Sequence, residues 1–179
     1  MGHFYFVRHG QTVWNVENKI CGATDIDLTP LGHEQAITLG NLLKEENYPI
    51  DRILCSPLMR AQKTAQHIAD ITGLPLTVEP RLKEQNFGQY EGTARNGEEF
   101  RLAKQQFINH YGTGESMFSM AQRIYNLLDD LKQQEETYLL VAHNGIARFM
   151  ESYFHDMGNE AFAAFGIKNC EIKTYYFED

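Results

Sequence analysis

Three short runs of unbroken apolar character punctuate the chain: His3-Phe4-Tyr5-Phe6-Val7, Arg52-Ile53-Leu54-Cys55 and Tyr138-Leu139-Leu140-Val141-Ala142. Continuous rather than alternating hydrophobicity marks strands covered on both faces. Helical spacing fills the gaps between them. After the Thr29-Pro30 start signal, Leu31, Ala36, Leu39, Leu42 and Leu43 follow at roughly helical spacing. After Ser56-Pro57, Ala61, Ala65, Ile68 and Ala69 do the same, up to a stop at Gly73. The pattern predicts a short strand at residues 76–78 and two helices over residues 95–111 and 117–134, split by Gly112-Thr113-Gly114. It predicts one more helix from Gly145 to Phe154, and an alternating, half-exposed edge strand at residues 170–177. Residues 81–92 are too irregular and too rich in glycine for a helix. Strands alternating with helices define an α/β fold with a mainly parallel sheet, and the 179 residues carry no repeat or linker, which predicts a single domain over 1–179.

Charge narrows the function. Sixteen lysines and arginines against 24 aspartates and glutamates leave a net charge of −8. Such a balance argues against nucleic acid and against anionic membrane surfaces as partners. A phosphorylated ligand would have to be held by a few concentrated cations. Three well-separated cysteines, Cys21, Cys55 and Cys170, form neither a disulfide framework nor a metal-ligand pair. With no long apolar run and no signal-peptide pattern, the expectation is a cytoplasmic protein with no membrane association.

In open α/β sheets, ligands bind beyond the carboxyl ends of the strands. Here those ends carry Arg8-His9-Gly10, Cys55-Ser56-Pro57 with Arg60 one turn on, and His143-Asn144-Gly145. Two histidines and two arginines therefore converge on one sheet edge. Arg60 lies in a helical first turn, where negative charge is favoured, so its presence points to an anion nearby. Arginines match phosphate with planar paired donors, and a neutral histidine among them can attack phosphorus. The leaving oxygen then needs a proton, and composition alone leaves Glu79, Glu84 and Glu91 equivalent as its source.

Other phosphate and hydrolase chemistries fit less well. Asp25-Ile26-Asp27-Leu28-Thr29 matches a magnesium-dependent D-x-D-x-T string, but no buried strand precedes it. Cys55 and Arg60 are one residue too close for a cysteine phosphatase loop. His33-Glu34 starts a zinc-protease motif that Ile37 breaks.

Arg8-His9-Gly10, continued by Gln11-Thr12-Val13-Trp14-Asn15, Gly22, Asp25, Leu28-Thr29 and Gly32-His33-Glu34, resembles the histidine phosphatase superfamily in its phosphoglycerate mutase-like branch. Ser56-Pro57-Leu58-Met59-Arg60, Leu82-Lys83-Glu84 with Tyr90-Glu91-Gly92, and Val141-Ala142-His143 resemble its later blocks, in family order. The resemblance implies a three-layer α/β/α sandwich and phosphoryl transfer through His9, with no metal and no cofactor. Arg8, Arg60 and His143 would bind the phosphoryl group and Glu84 would donate the proton. Gly10, Gln11, Asn15, Cys21, Gly22 and Asn144 would contact the substrate, a small phosphorylated metabolite.

Four features depart from the pattern. Cys21 stands where serine or threonine is common, Asn144 where glycine is usual, and Ala23 where many mutases carry an aromatic residue. The stretch between Gly92 and Ser116 is too short for the insertion of the larger mutases, which predicts an open pocket and hydrolysis rather than isomerisation. A mutase, or a binding module without catalysis, is the alternative on the same residues. Phe87, Tyr90, Arg95, Arg101, Lys104 and His110 are the candidates for reading the leaving group.

Overall fold

The computed structural model describes residues 2–178. Strand β1 (His3–Arg8) leads through a one-turn helix α1 (Val13–Val16) to helix α2 (Pro30–Glu45). There follow β2 (Arg52–Cys55), α3 (Met59–Thr72) and β3 (Leu76–Val78), then two 3-10 turns at Pro80–Leu82 and Gly88–Tyr90. The remainder is α4 (Glu98–Ala103), α5 (Met117–Lys132), β4 (Tyr138–Ala142), α6 (Asn144–Phe154), α7 (Asn159–Ala164) and β5 (Ile172–Tyr176). The sheet order is β3-β2-β4-β1-β5, with β5 antiparallel to β1 and every other pair parallel.

Strand pleating sorts the core into two layers, because successive side chains face opposite ways. Tyr5, Val7, Ile53, Cys55, Leu139 and Val141 pack under Leu39 and Leu43 of α2 and Ala61, Ala65 and Ile68 of α3. Their neighbours Phe4, Phe6, Leu54, Leu140 and Ala142 pack on the other face against Met120, Ile124 and Leu128 of α5 and Ile146 and Met150 of α6. The result is a helix–sheet–helix sandwich. Both faces of β4 are covered, which is why its five residues read as one apolar run.

Caps set the helix starts. Thr29 Oγ1 accepts from Gly32 N at 3.1 Å, and Ser116 Oγ accepts from Ser119 N at 3.2 Å. Helix α3 has no cap of its own at Leu58; instead Asp25 Oδ1 accepts from Met59 N at 2.7 Å. Gly73 closes α3 at φ 77°, a left-handed conformation that glycine adopts without a steric cost.

The predicted helix over 95–111 is only the six residues of α4, and turns follow it. A straight helix would line Phe100, Ala103, Phe107 and Tyr111 along one face. Instead Phe100, Ala103 and Tyr111 join Ile20 and Phe87 in a small third core, while Phe107 packs on the large one. Serving two cores breaks the helix after Ala103. The sequence reading had no counterpart for α7.

Candidate active site

The strand ends meet as expected, and loops close over them. One cavity of about 70 Å³ lies there, lined by Arg8, His9, Asn15, Cys21, Glu84 and Asn144 among others. Arg60 and His143 sit behind this lining, each 0% exposed.

His9 is held from two sides. Its Nδ1 lies 2.7 Å from Gly10 O, a group that only accepts, so Nδ1 carries the hydrogen. The Nε2 atom, 3.3 Å from the Arg60 Nε donor, therefore carries the lone pair. Burial, then Arg60 and Arg8, hold the His9 pKa well below its ordinary range, so the ring is neutral at neutral pH. The His143 ring lies 5.1 Å from that of His9 with its Nε2 2.7 Å from Ser56 Oγ, and burial followed by Arg60 depresses its pKa as well. Arg8 Nε and His143 Nδ1 are buried without a protein partner among the described residues.

Glu84 and Glu91 now separate. Glu91 accepts from Gly22 N, Ala23 N, Thr24 Oγ1 and Phe87 N, at 2.7–3.1 Å, and pins two loops together. Glu84 is 4% exposed and lines the cavity. It accepts from Gln85 N at 2.8 Å and from Gly145 N at 2.9 Å, which makes it the cap of α6. Both bonds favour the carboxylate, yet burial outweighs them and raises its pKa. A Cβ on Gly145 would collide with the Glu84 carboxyl, so a larger residue there would have to displace Glu84 from its two donors.

The other sequence candidates divide. Asn15, Cys21 and Asn144 line the cavity. The Cys21 thiol is pushed up by burial and stays protonated. Gly10, Gln11 and Gly22 do not line it, and their polar groups are engaged elsewhere. Gly10 N donates to Thr64 Oγ1 at 3.0 Å, Gln11 ties its loop to α2 through Gln35 and Thr29, and Gly22 O accepts from Arg60 Nη2 at 2.7 Å. Asn144 Oδ1 accepts from Ile167 N at 2.9 Å, so its side chain holds the loop before β5. Of the leaving-group candidates, Phe87, Arg95 and Lys104 line the cavity; Tyr90 packs in the third core, and Arg101 pairs with Glu98 on the surface. His110 is exposed and outside the lining.

Three contributors escaped the sequence reading. Arg148 lines the cavity from α6, and its position four residues after Asn144 put it on the same helix face. Thr64 holds Gly10. Asn169 Nδ2 donates to His9 O at 2.8 Å, from a loop without sequence signal.

A contrast in pairing marks the site. Arg52, Arg81, Arg101 and Arg123 each bridge to a carboxylate. Among the described residues Arg8, Arg60, Arg95 and Arg148 bridge to none. They donate to backbone carbonyls instead: Ile167 O, Thr24 and Gly22 O, Lys19 O and Phe165 O respectively. Burial, followed by Arg95, depresses the Arg8 pKa to about 10.

Among the described residues no three His, Cys, Asp or Glu side chains gather into a metal-holding group, and no helix is long and apolar enough to cross a membrane. The short stretch between Gly92 and Ser116 reaches the site: Phe100, which packs in the third core, and Lys104 both line the cavity.

An α/β sandwich with a histidine and arginines unpaired with carboxylates at its strand ends has the charge to hold an anionic group such as phosphate. The chain belongs to the histidine phosphatase superfamily (branch 1), whose profile matches residues 4–179. It is 34% identical to a protein provisionally named phosphoserine phosphatase 2 from Hydrogenobacter thermophilus, over 99% of this chain and 91% of that one. It is 31% identical to a provisionally named phosphoglycerate mutase GpmB from Yersinia pestis, over 98% of this chain and 85% of the relative. Among solved structures it is similar to a phosphoserine phosphatase from Entamoeba histolytica in complex with 3-phosphoglyceric acid. That match has a TM-score of 0.83 and 31% identity, over 99% of this chain and 91% of the other.

Thr64→Val keeps the shape but removes the acceptor of the buried Gly10 N–H. The expected cost is about 1–3 kcal/mol of stability, read from urea unfolding. An unchanged midpoint would mean that the Gly10 loop is held by other contacts.

Proposed function

We propose that this protein is a phosphatase that hydrolyses small phosphate monoesters through a phosphohistidine at His9, with Glu84 as proton donor. The observation that carries the reading is the fixed His9 tautomer, with its Nε2 lone pair among unpaired arginines and Glu84 lining the same cavity. In the first step the His9 Nε2–phosphorus bond forms and the bond to the leaving oxygen breaks. The Glu84 proton passes to that oxygen. In the second step water attacks phosphorus, the P–N bond breaks and Glu84 recovers a proton from the water. Arg8, Arg60 and His143 hold the equatorial oxygens, where the transition state spreads its charge. Arginine supplies that charge, so the reading needs neither metal nor cofactor. Its substrate is a small phosphorylated metabolite, met in the cytoplasm.

A mutase is the second reading. It is favoured by the covering 93–116 stretch, since a mutase must keep its phosphohistidine dry. Hydrolysis is preferred because that cover is a single short helix with turns.

Three outcomes are expected. Acid-labile phosphate should appear on His9 after quenching with substrate, and His9→Ala should abolish turnover while leaving the circular dichroism unchanged. Undiminished turnover in that variant would sink the nucleophile. In EDTA, phosphate release from monoesters should outpace interconversion of 2- and 3-phosphoglycerate even after priming with 2,3-bisphosphoglycerate. Faster isomerisation would make the protein a mutase.

The third outcome concerns pH. Neutral His9 is needed, and its lowered pKa puts the acid limb well below the usual imidazole range. Protonated Glu84 is needed too, and its raised pKa puts a falling alkaline limb above the usual carboxylate range. Glu84→Gln should erase the alkaline limb and slow alkyl phosphates by ~10²–10⁴-fold, with a much smaller loss on an aryl phosphate. Equal losses on both substrates would reduce Glu84 to the cap of α6.

A further inference from the structure

The cavity holds more positive charge than one phosphoryl group requires. Arg8 and Arg60 at the His9 end match the two charges of a phosphate monoester. Arg95, Lys104 and Arg148 line the same cavity, and Glu84 is the one acid in that lining among the described residues. Burial and then their neighbours depress the pKa of Lys104, which feels Arg148 and Arg95. Lys104 and Arg148 make no ion pair among the described residues, although 24 acidic residues are available in the chain. Cations crowded in this way repel one another, and an anion between them relieves the repulsion.

Arg148 is also positioned. Its Nε donates to Phe165 O at 2.9 Å, which fixes the planar fork while leaving its charge unneutralised. Lys104 lies against the Phe100 ring, 4.9 Å from its centroid, on the covering helix segment. The two cations therefore reach the cavity from different elements, α6 and the end of α4.

We propose that Arg148 and Lys104 are specificity-determining residues that select phosphate monoesters whose leaving group carries a carboxylate. A planar carboxylate matches the guanidinium fork. The cavity is small, about 70 Å³, which favours a small acid over a bulky one. The inference rests on the phosphatase reading above.

The test compares 3-phosphoglycerate with glycerol 3-phosphate, which differ by a carboxylate in place of a hydroxymethyl group. The native protein should favour the acid in kcat/KM by about tenfold or more, the scale of a charge-assisted hydrogen bond. Arg148→Gln and, separately, Lys104→Gln should each lose about tenfold more on the acid than on the alcohol, chiefly through KM. Arg148→Lys, which keeps the charge without the fork, should recover part of the preference. Equal kcat/KM for the two native substrates would overturn the proposal, as would equal losses in the variants. A shift of the alkaline pH limb on both substrates would also overturn it, by making Arg148 a modulator of Glu84.

Calorimetric titration of both ligands into His9→Ala separates the two readings. Tighter binding of the acid without turnover in the native protein would fail the phosphatase and keep the subsite. Turnover with equal binding would do the reverse. Should Arg148→Gln unfold, the Lys104→Gln ratio decides.

Discussion

Guanidinium groups must be held close together without being neutralised, and most of this architecture follows from that constraint. A carboxylate beside Arg8 or Arg60 would satisfy its N–H groups but would also cancel the charge that an anionic ligand needs. Backbone carbonyls solve the problem, since they accept hydrogen bonds and carry only partial charge. The carbonyls come from loops at 19–24 and 165–167, so the arginines shape those loops as much as the loops aim the arginines. Burial and, behind it, repulsion among the cations lower the pKa of Arg8 and keep the two histidines neutral.

Glu91 shows how far this dependence reaches. Its carboxylate gathers Gly22 N, Ala23 N and Thr24 Oγ1, and the same loop offers Gly22 O and Thr24 O to Arg60. Arg60 in turn touches His9. An acid outside the cavity lining is thus linked to His9 through three successive contacts. Glu84 differs in having a cavity on one side and only two donors, and burial decides its protonation.

The sequence made the sheet legible because buried parallel strands leave continuous apolar runs, and strand ends then located Arg8, His9, Arg60 and His143. It was less informative wherever one residue type serves two physical ends. Gln11 and Gly22 sit in the motif but spend their polar groups on neighbouring backbone and side chains. Phe100, Phe107 and Tyr111 keep helical spacing, yet they divide between two cores and break the helix. Asn169 and Arg148 act through loop carbonyls whose positions are set by tertiary folding. Only the spacing of Arg148 from Asn144 carried a readable signal.

The sheet order has a consequence for how such a molecule comes into being. Strand β1, which delivers Arg8 and His9, has only β4 and β5 as neighbours, and both are encoded in the last quarter of the chain. During synthesis the earliest strand must therefore wait, apolar and unpaired, until nearly everything after it has been made. The long loop closure that finally seats it makes assembly of the centre of the sheet a late and slow event. The site at the first strand end can therefore assemble only after β4 has been made.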